Sequence, residues 1–362
     1  MRTNIIFIDT QAFYRLMFDF EGAALKQLRR LAREGHLQLI LSLVVCKEVE
    51  SHIETNTTEA MAALNKFQKK ARPFKSLGEN VAPFFASYDV ATATKLALSV
   101  WEAFLTDTDA VILDPDQANI SEILNAYFSG NPPFGEKKKK SEFPDAIALS
   151  SLLSYLKNNK KHAYVVGSDS DTDKWCTENN EFATSVKSIR ALLDLFNKEK
   201  QPELTSTVFN QIIQNKAELI ESLKNTFTEF FFSYDPNYEA DVEILTVENM
   251  ELGEPEIIEV DVYHSIISLQ ATIKFKAHIS GPNYDNAIWD SEDKEYFIWD
   301  NFSTEIDFEE HYDVSFKLEP PDKNDALGAI SQVEFDGSSE SIMLYLEDEY
   351  PYKLNLNETV PD

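Results

Sequence analysis

Short apolar runs, each followed by a stretch with a helical pattern, are the feature that most constrains how the first half of the chain can fold. The runs cover residues 4–8, 37–43, 110–113 and 163–166. Strands and helices that alternate at this spacing predict a parallel sheet with helices packed on its faces. The first 200 residues are therefore expected to form an α/β domain.

The helices of this domain are predicted from apolar periodicity and from residues that begin or end helices. One long helix is predicted over residues 11–34, and the next begins near Val45. Three further helical patterns are interpreted as a helical insertion around residues 59–130. The last two helices begin near Asp145 and at Ile189, and the second of them closes the domain.

Beyond residue 200 the pattern changes to a single helix followed by strands of period two. The apolar face of this helix is formed by Phe209, Ile212, Leu219, Leu223 and Phe227. Residues 269–277 then alternate apolar and polar side chains, which is typical of a half-buried antiparallel strand. We predict that residues 201–362 form a second, α+β domain with a largely antiparallel sheet.

The two halves of the chain differ in charge as well as in apolar periodicity. Residues 201–362 hold 36 Asp and Glu against 8 Lys and no Arg, a net charge of −28, whereas residues 1–200 carry −1. Surfaces that bind phosphate need cations, so nucleic acid is expected to bind the first domain. The acidic domain is expected to dock a basic protein partner or to screen the cleft of the first. Its alternative is a solvated surface on a structural or dimerising domain, which would make the protein a homo-oligomer.

The sequence also predicts the compartment. No apolar run approaches the roughly 18 residues that cross a bilayer, and the start of the sequence lacks the pattern of a signal peptide. Cys46 and Cys176 are too few for a disulfide framework or a thiolate zinc site. A cytoplasmic protein without membrane contact is therefore expected.

Four acids share one kind of position, at the end of a predicted strand or at the start of a predicted helix. Asp9 and Asp169 follow the first and fourth strands. Glu48 lies in the first turn of the helix after the second strand, and Asp145 begins a later helix. The carboxyl ends of parallel strands border one crevice, so these acids can meet. Taken singly, each acid has a simpler use as a helix cap or a solvated side chain.

Four carboxylates in one crevice require positive charge. Two unit charges about 4 Å apart repel by about 4 kcal/mol at an effective dielectric constant of about 20. A pair of Mg²⁺ or Mn²⁺ ions would compensate this repulsion, because both ions bind carboxylate oxygen and water. Metals held in this way can activate water and stabilise the leaving oxygen of a phosphodiester. The acids therefore predict a metal-dependent nuclease.

The segments that carry the acids resemble the four acidic motifs of the PIN-domain nuclease family, in the same order. They are Ile5-Ile6-Phe7-Ile8-Asp9-Thr10, Cys46-Lys47-Glu48-Val49, Phe143-Pro144-Asp145-Ala146 and Val165-Val166-Gly167-Ser168-Asp169-Ser170-Asp171. The Pro-Pro-Phe-Gly loop and the lysine run before Asp145 resemble PIN-like domains of bacterial proteins in particular. The resemblance covers residues 1 to about 200 and implies a PIN-like parallel sheet flanked by helices.

By this resemblance the protein would be a Mg²⁺- or Mn²⁺-dependent endoribonuclease, acting as a bacterial toxin or a phage-defence effector. Its metal ligands and catalytic acids would be Asp9, Glu48, Asp145 and Asp169. PIN domains usually place a Ser or Thr two residues before the last acid, where this chain has Gly167. The resemblance therefore leaves open whether Asp169 or Asp171 is the principal ligand, and Asp171 is included among the metal ligands.

Residues next to the acids are expected to contact the RNA substrate. They are Thr10, Ser168, Lys138, Lys139 and Lys140. A second basic stretch occupies residues 66–75, and Phe134 is interpreted as either buried or stacked on a base. Two alternatives stay open. One is a metal-dependent DNA or flap nuclease, because carboxylates recognise phosphate rather than sugar, and the other is a catalytically inactive PIN fold used as a binding scaffold.

Overall fold

The chain divides into two units, Met1–Glu199 and Lys200–Asp362. The structure is a computed structural model. It describes residues 1–76, 85–86, 89–134, 141–167, 169–234, 240–283, 288–290, 295–297, 300–319, 330–335 and 341–344.

A five-stranded parallel sheet in the order β3-β2-β1-β4-β5 forms the centre of the first unit. Its strands are β1 Ile5–Ile8, β2 Gln38–Ser42, β3 Val111–Leu113, β4 Ala163–Val166 and β5 Ala183–Val186. All residues of the neighbouring strands β1 and β4 are buried, as expected for strands covered on both faces. The predicted α/β fold with a PIN-like sheet is confirmed.

Helices follow the strands of this unit and pack beside the sheet. They are α1 Thr10–Tyr14, α2 Ala23–Arg33, α3 Leu43–Lys70, α4 Val90–Asp107, α5 Ile120–Ser129, α6 Phe143–Asn159, α7 Ser170–Glu178 and α8 Ile189–Lys200. α3 begins directly after β2, where the Ser42 hydroxyl accepts a hydrogen bond from the Val45 amide at 3.1 Å. The same helix continues through residue 59, where the helical insertion was expected to begin. β3, inside the range 59–130, pairs with β2.

The prediction of one long helix over residues 11–34 is wrong. α1 ends at Tyr14 and α2 starts at Ala23, and between them Met17 and Phe18 adopt φ values of 51° and 56°. Left-handed backbone of this kind cannot continue an α-helix. The turn brings apolar rings from both of its sides into one buried cluster, formed by Phe13, Phe20, Trp101 and Phe104. Apolar periodicity does not reveal such a turn, because the rings on both sides stay in the core.

The second unit contains a seven-stranded sheet in the order β13-β12-β9-β7-β6-β14, with β8 also paired to β9. Its strands are β6 Phe231–Tyr234, β7 Asp241–Leu252, β8 Glu256–Val260, β9 Ser265–Pro282, β12 Asn301–Leu318, β13 Ile330–Phe335 and β14 Ser341–Leu344. β10 Ile288–Asp290 and β11 Glu295–Phe297 form a separate antiparallel pair. β6 and β14 are parallel, and the other pairings are antiparallel. The predicted α+β domain with a largely antiparallel sheet is confirmed.

Two helices, α9 Pro202–Gln214 and α10 Lys216–Glu229, occupy the stretch predicted as one helix at the start of this unit. The break falls at Asn215, whose φ is −115°. The predicted apolar face is nevertheless used, because Ile212, Leu223 and Phe227 are buried in the core against the sheet. Among the helices that the structure describes, none is long and apolar enough to cross a membrane.

Candidate metal centre

The candidate site lies where the strand order of the parallel sheet reverses. From β1 the chain adds β2 and β3 on one side and then returns to add β4 and β5 on the other. In sheets of this kind a crevice opens beyond the carboxyl ends of the two central strands. Asp9 directly follows β1, and the segment after β4 leads to Asp169, the N-cap of α7.

The end of β4 approaches the Asp9 side chain closely. The Asp9 amide donates a hydrogen bond to the Val166 carbonyl at 3.0 Å, and the Gly167 amide donates to the Val186 carbonyl at 3.1 Å. A Cβ atom added to Gly167 would lie 3.4 Å from Asp9 Cβ and 3.6 Å from Asp9 Oδ2. These are ordinary van der Waals distances, so the backbone after β4 lies beside the Asp9 side chain and the position does not require glycine.

Glu48 is connected to the same edge of the sheet through Thr10. The hydroxyl of Thr10 donates a hydrogen bond to Glu48 Oε2 at 2.6 Å. Thr10 is buried at the start of α1, and Glu48 is partly buried in α3, two turns after β2. The contact therefore fixes the Glu48 carboxylate beside the residue that follows Asp9.

Asp145 comes from the first turn of α6, where Pro144 is also placed. Aromatic packing anchors this end of the helix, because the Phe134 and Phe143 rings lie 5.1 Å apart and Phe134 is only 1% exposed. Phe134 is therefore buried and is not exposed for stacking on a base. Glu142, the N-cap of the helix, lies close enough to Asp145 to raise its pKa, a role that the sequence did not predict.

The electrostatics show that the charges of Glu48 and Asp169 act on both Asp9 and Asp145. Burial, and then the negative charges of Asp9, Glu48 and Asp169, raise the pKa of Asp145 from 3.8 to about 7. Burial also raises the pKa of Asp9 to about 6; the Thr10 amide opposes the rise, and Glu48 and Asp169 add to it. Like charges favour the protonated form of a carboxyl group. Acids that are up to 160 residues apart in sequence therefore share one electrostatic environment.

The acids after β4 differ in what they contact. Asp169 accepts a hydrogen bond from the Asp171 amide at 3.2 Å and is among the charges that raise the pKa of both Asp9 and Asp145. Asp171 forms an ion pair with Lys174 at 2.7 Å. Asp173 accepts a hydrogen bond from the Ser185 hydroxyl of β5. Asp169 is thus the acid of this loop whose charge acts on Asp9 and Asp145.

The donor set fits a hard divalent cation. It consists of carboxylate oxygens, the ligands that Mg²⁺ and Mn²⁺ prefer. The negative charges of these carboxylates repel one another, and a bound cation would relieve this repulsion. The buried thiols of Cys46 and Cys176 are not part of it, and burial raises the pKa of Cys46 to about 11. The chemistry of these residues therefore favours magnesium or manganese over thiolate-bound zinc.

A family model for the PIN domain matches residues 6–172, a range that includes all four acids. Over this range the first unit of the chain is similar to the PIN-domain family. This similarity indicates a metal-dependent nuclease and therefore a nucleic acid substrate. Searches of curated proteins and of solved structures returned no match.

Several predicted contacts of this PIN domain fall outside the described residues. They are those of Ser168, Lys138, Lys139 and Lys140. The second basic stretch, residues 66–75, is described, and its lysines are exposed at the far end of α3. Lys66 lies about 27 Å from Glu48 along the helix. These cations could therefore contact a nucleic acid only at some distance from the acids.

A group of residues that could hold a metal ion occurs at the end of β8 and in the turn that follows it, and the sequence did not predict it. The ligand atoms of Glu259, Asp261 and His264 lie within 4.8 Å of one another. However, His264 Nδ1 is 3.4 Å from Asp261 and Nε2 is 3.7 Å from Glu259. The two carboxylates thus flank different nitrogens of one ring.

Proposed function

We propose that this protein is a divalent-metal-dependent endoribonuclease that hydrolyses RNA in the crevice of its PIN domain, in the cytoplasm. The proposal depends above all on the raised pKa of Asp145, which reflects burial and the charges of Asp9, Glu48 and Asp169. Such repulsion opposes folding unless a cation balances it. A site that gathers carboxylates in this way is suited to hold metal ions against a phosphodiester.

The proposed roles follow from the contacts. Asp9, Glu48, Asp145 and Asp169 hold two Mg²⁺ or Mn²⁺ ions and act as the catalytic acids. Asp171, paired with Lys174, is a secondary ligand, and Thr10 orients Glu48 through its hydrogen bond. When bound, the ions supply an activated water and compensate the charge of the scissile phosphate.

RNA is proposed as the substrate because the lysine run before Asp145 resembles that of bacterial PIN-like domains. Lys138, Lys139 and Lys140 are next to the Asp145 helix in sequence, and we propose that they hold the phosphates beside the cut. Ser168, between Gly167 and Asp169, is proposed to contact the substrate as well. The exposed cations of residues 66–75 would hold a longer RNA further along α3.

The acidic second unit is proposed to dock a basic protein or to form a homo-oligomer rather than to bind RNA. Residues 201–362 carry a net charge of −28, which repels phosphate, and hold only 8 Lys and no Arg to bind it. A chain that ends at Glu199, shown by circular dichroism to be folded, should then retain the cleavage rate of the full chain. A changed substrate range in this shorter chain would instead indicate that the second unit screens the cleft.

The direct test incubates the purified full chain with single-stranded RNA, single-stranded DNA and flap DNA, in Mn²⁺, Mg²⁺ or chelator. We expect metal-dependent cleavage of RNA that Glu48→Gln and Asp145→Asn abolish. Glu54→Gln is the matched control, because Glu54 is an exposed acid on the same helix as Glu48. Cleavage of DNA alone would support the DNA or flap nuclease. Binding without cleavage by wild type would identify an inactive scaffold.

A further inference from the structure

Beside the proposed metal centre lies a surface group of three aromatic side chains that the nuclease chemistry does not use. The ring of His52 lies 5.5 Å from that of Tyr14 and 5.7 Å from that of Phe18. Tyr14 and Phe18 are themselves 6.0 Å apart, in an edge-to-face arrangement. We call this group, Tyr14, Phe18 and His52, the aromatic platform.

The platform is accessible from solvent. Tyr14 is 50% exposed, and the neighbouring Met17 is 62% exposed. Phe18 and His52 are partly buried. The left-handed backbone at Met17 and Phe18 separates Phe18 from the buried cluster that holds Phe13 and Phe20, and leaves its ring stacked on His52 with an interplanar angle of 23°. Rings that are held in place but not covered are suited to stack on a ligand.

The platform is continuous with the proposed metal centre. Tyr14 lies four residues after Thr10 in α1, and His52 lies four residues after Glu48 in α3, so each pair shares one helix face. The hydrogen bond between Thr10 and Glu48 and the ring contact between Tyr14 and His52 are therefore successive contacts between the same two helices. One helical turn, about 5.4 Å, separates them along each axis.

We infer that the aromatic platform binds an unpaired nucleobase adjacent to the scissile phosphate, so that the nuclease acts on single-stranded substrate. The inference rests on the proposed function, and it adds which form of nucleic acid the site accepts. Every base has a π face that stacks on aromatic side chains, whereas bases in a duplex are already stacked and paired.

The test compares Tyr14→Leu with Tyr14→Phe in the full chain. Leucine keeps apolar bulk against His52 but lacks a π face, whereas phenylalanine keeps the face. Tyr263→Leu is the control, because Tyr263 is an exposed tyrosine of the second unit, at 77% exposure. Binding of a fluorescent oligouridylate and of a duplex of equal length is measured by anisotropy in chelator, and KM and kcat are measured in Mn²⁺.

We expect Tyr14→Leu to weaken binding of the single strand about ten-fold, the order expected for the loss of one base stack. KM should rise while kcat changes little, duplex binding should stay as in wild type, and Tyr14→Phe and Tyr263→Leu should match wild type. An oligonucleotide that lacks one base beside the cut should be a poorer substrate for wild type, and Tyr14→Leu should not distinguish it from the intact strand.

Equal single-strand binding by Tyr14→Leu and Tyr263→Leu would overturn the platform, as would an equal loss for the duplex. The two proposals fail in different ways. Metal-dependent cleavage by wild type that Tyr14→Leu leaves unchanged refutes the platform alone. If wild type cleaves nothing but Tyr14→Leu binds the single strand more weakly than wild type does, the platform is supported and the nuclease is refuted.

Discussion

Asp145→Asn should stabilise the metal-free protein at neutral pH although it removes a proposed metal ligand. The pKa of Asp145 rises from 3.8 to about 7 on folding, because the carboxyl group is buried among Asp9, Glu48 and Asp169. A group that binds its proton more tightly in the folded state stabilises that state below its unfolded pKa. This contribution is lost as pH rises from about 4 through about 7. Above that range the ionised Asp145 opposes folding.

The magnitude follows from the shift. A rise of about three pKa units corresponds to about 4 kcal/mol. Because Asp145 is only partly buried, we halve this figure for solvent screening and expect about 2 kcal/mol at pH 8. Asparagine has nearly the same shape and carries no charge, so the variant should gain this amount in chelator. Most of the difference should disappear by about pH 5, where Asp145 is protonated in the folded wild type.

Hydrogen exchange of amides in β1 and β4 measures this free energy in the first unit alone. At pH 8 in chelator, a gain of about 2 kcal/mol should slow exchange through global opening about 30-fold. Saturating Mn²⁺ should reverse the order, because an ion at 100 times its dissociation constant stabilises wild type by about 2.7 kcal/mol. Glu54→Gln is the control and should change neither result. Two results would refute this reasoning. One is an Asp145→Asn variant that is less stable than wild type at pH 8, and the other is a difference in unfolding free energy that is the same at pH 8 and at pH 5.

Three further predictions concern the same crevice. Thr10→Val should raise the Mn²⁺ concentration needed for half-maximal cleavage while Thr10→Ser does not, because only serine keeps the donor to Glu48; an unchanged Mn²⁺ requirement would remove Thr10 as a positioning residue. The Mn²⁺ affinity, measured by calorimetry, should increase from pH 5 to pH 8 as Asp9 and Asp145 lose their protons, since their pKa values are about 6 and about 7; a flat profile would show that these carboxyls do not bind the ion. Induced expression of wild type in a bacterium should stop growth while Asp145→Asn does not, and equal growth of both strains would argue against a toxin role.

The sheet of the first unit was largely predictable from sequence because its central strands are buried on both faces. β1 and β4 are therefore uninterrupted apolar runs, and the acids at their ends stand out. β5 was missed because Thr184 and Ser185 make it polar, although its pairing with β4 places it in the sheet. The strand is identified by its neighbour rather than by its own composition.

The site was only partly predictable for a related reason. The positions of Asp9, Glu48 and Asp169 follow from the parallel sheet, whose carboxyl ends share one edge. The contact between Tyr14 and His52 depends on the turn at Met17 and on the packing of α1 against α3. Both depend on the buried aromatic cluster, in which Phe13 meets Trp101. The contact between Tyr14 and His52 thus depends on contacts between residues that are distant in sequence, and local periodicity does not predict it.

The central place of β1 in the sheet has a consequence for protein synthesis. Its neighbour β2 ends at Ser42, whereas its other neighbour β4 ends at Val166, so the two strands are synthesised at different times. Asp169 follows β4. Domains fold as units while the ribosome extends the chain. Ribosome-bound chains that stop before residue 169 therefore lack one wall of the crevice. The four acids can therefore come together only after Asp169 and α7 have left the exit tunnel, late in each round of synthesis.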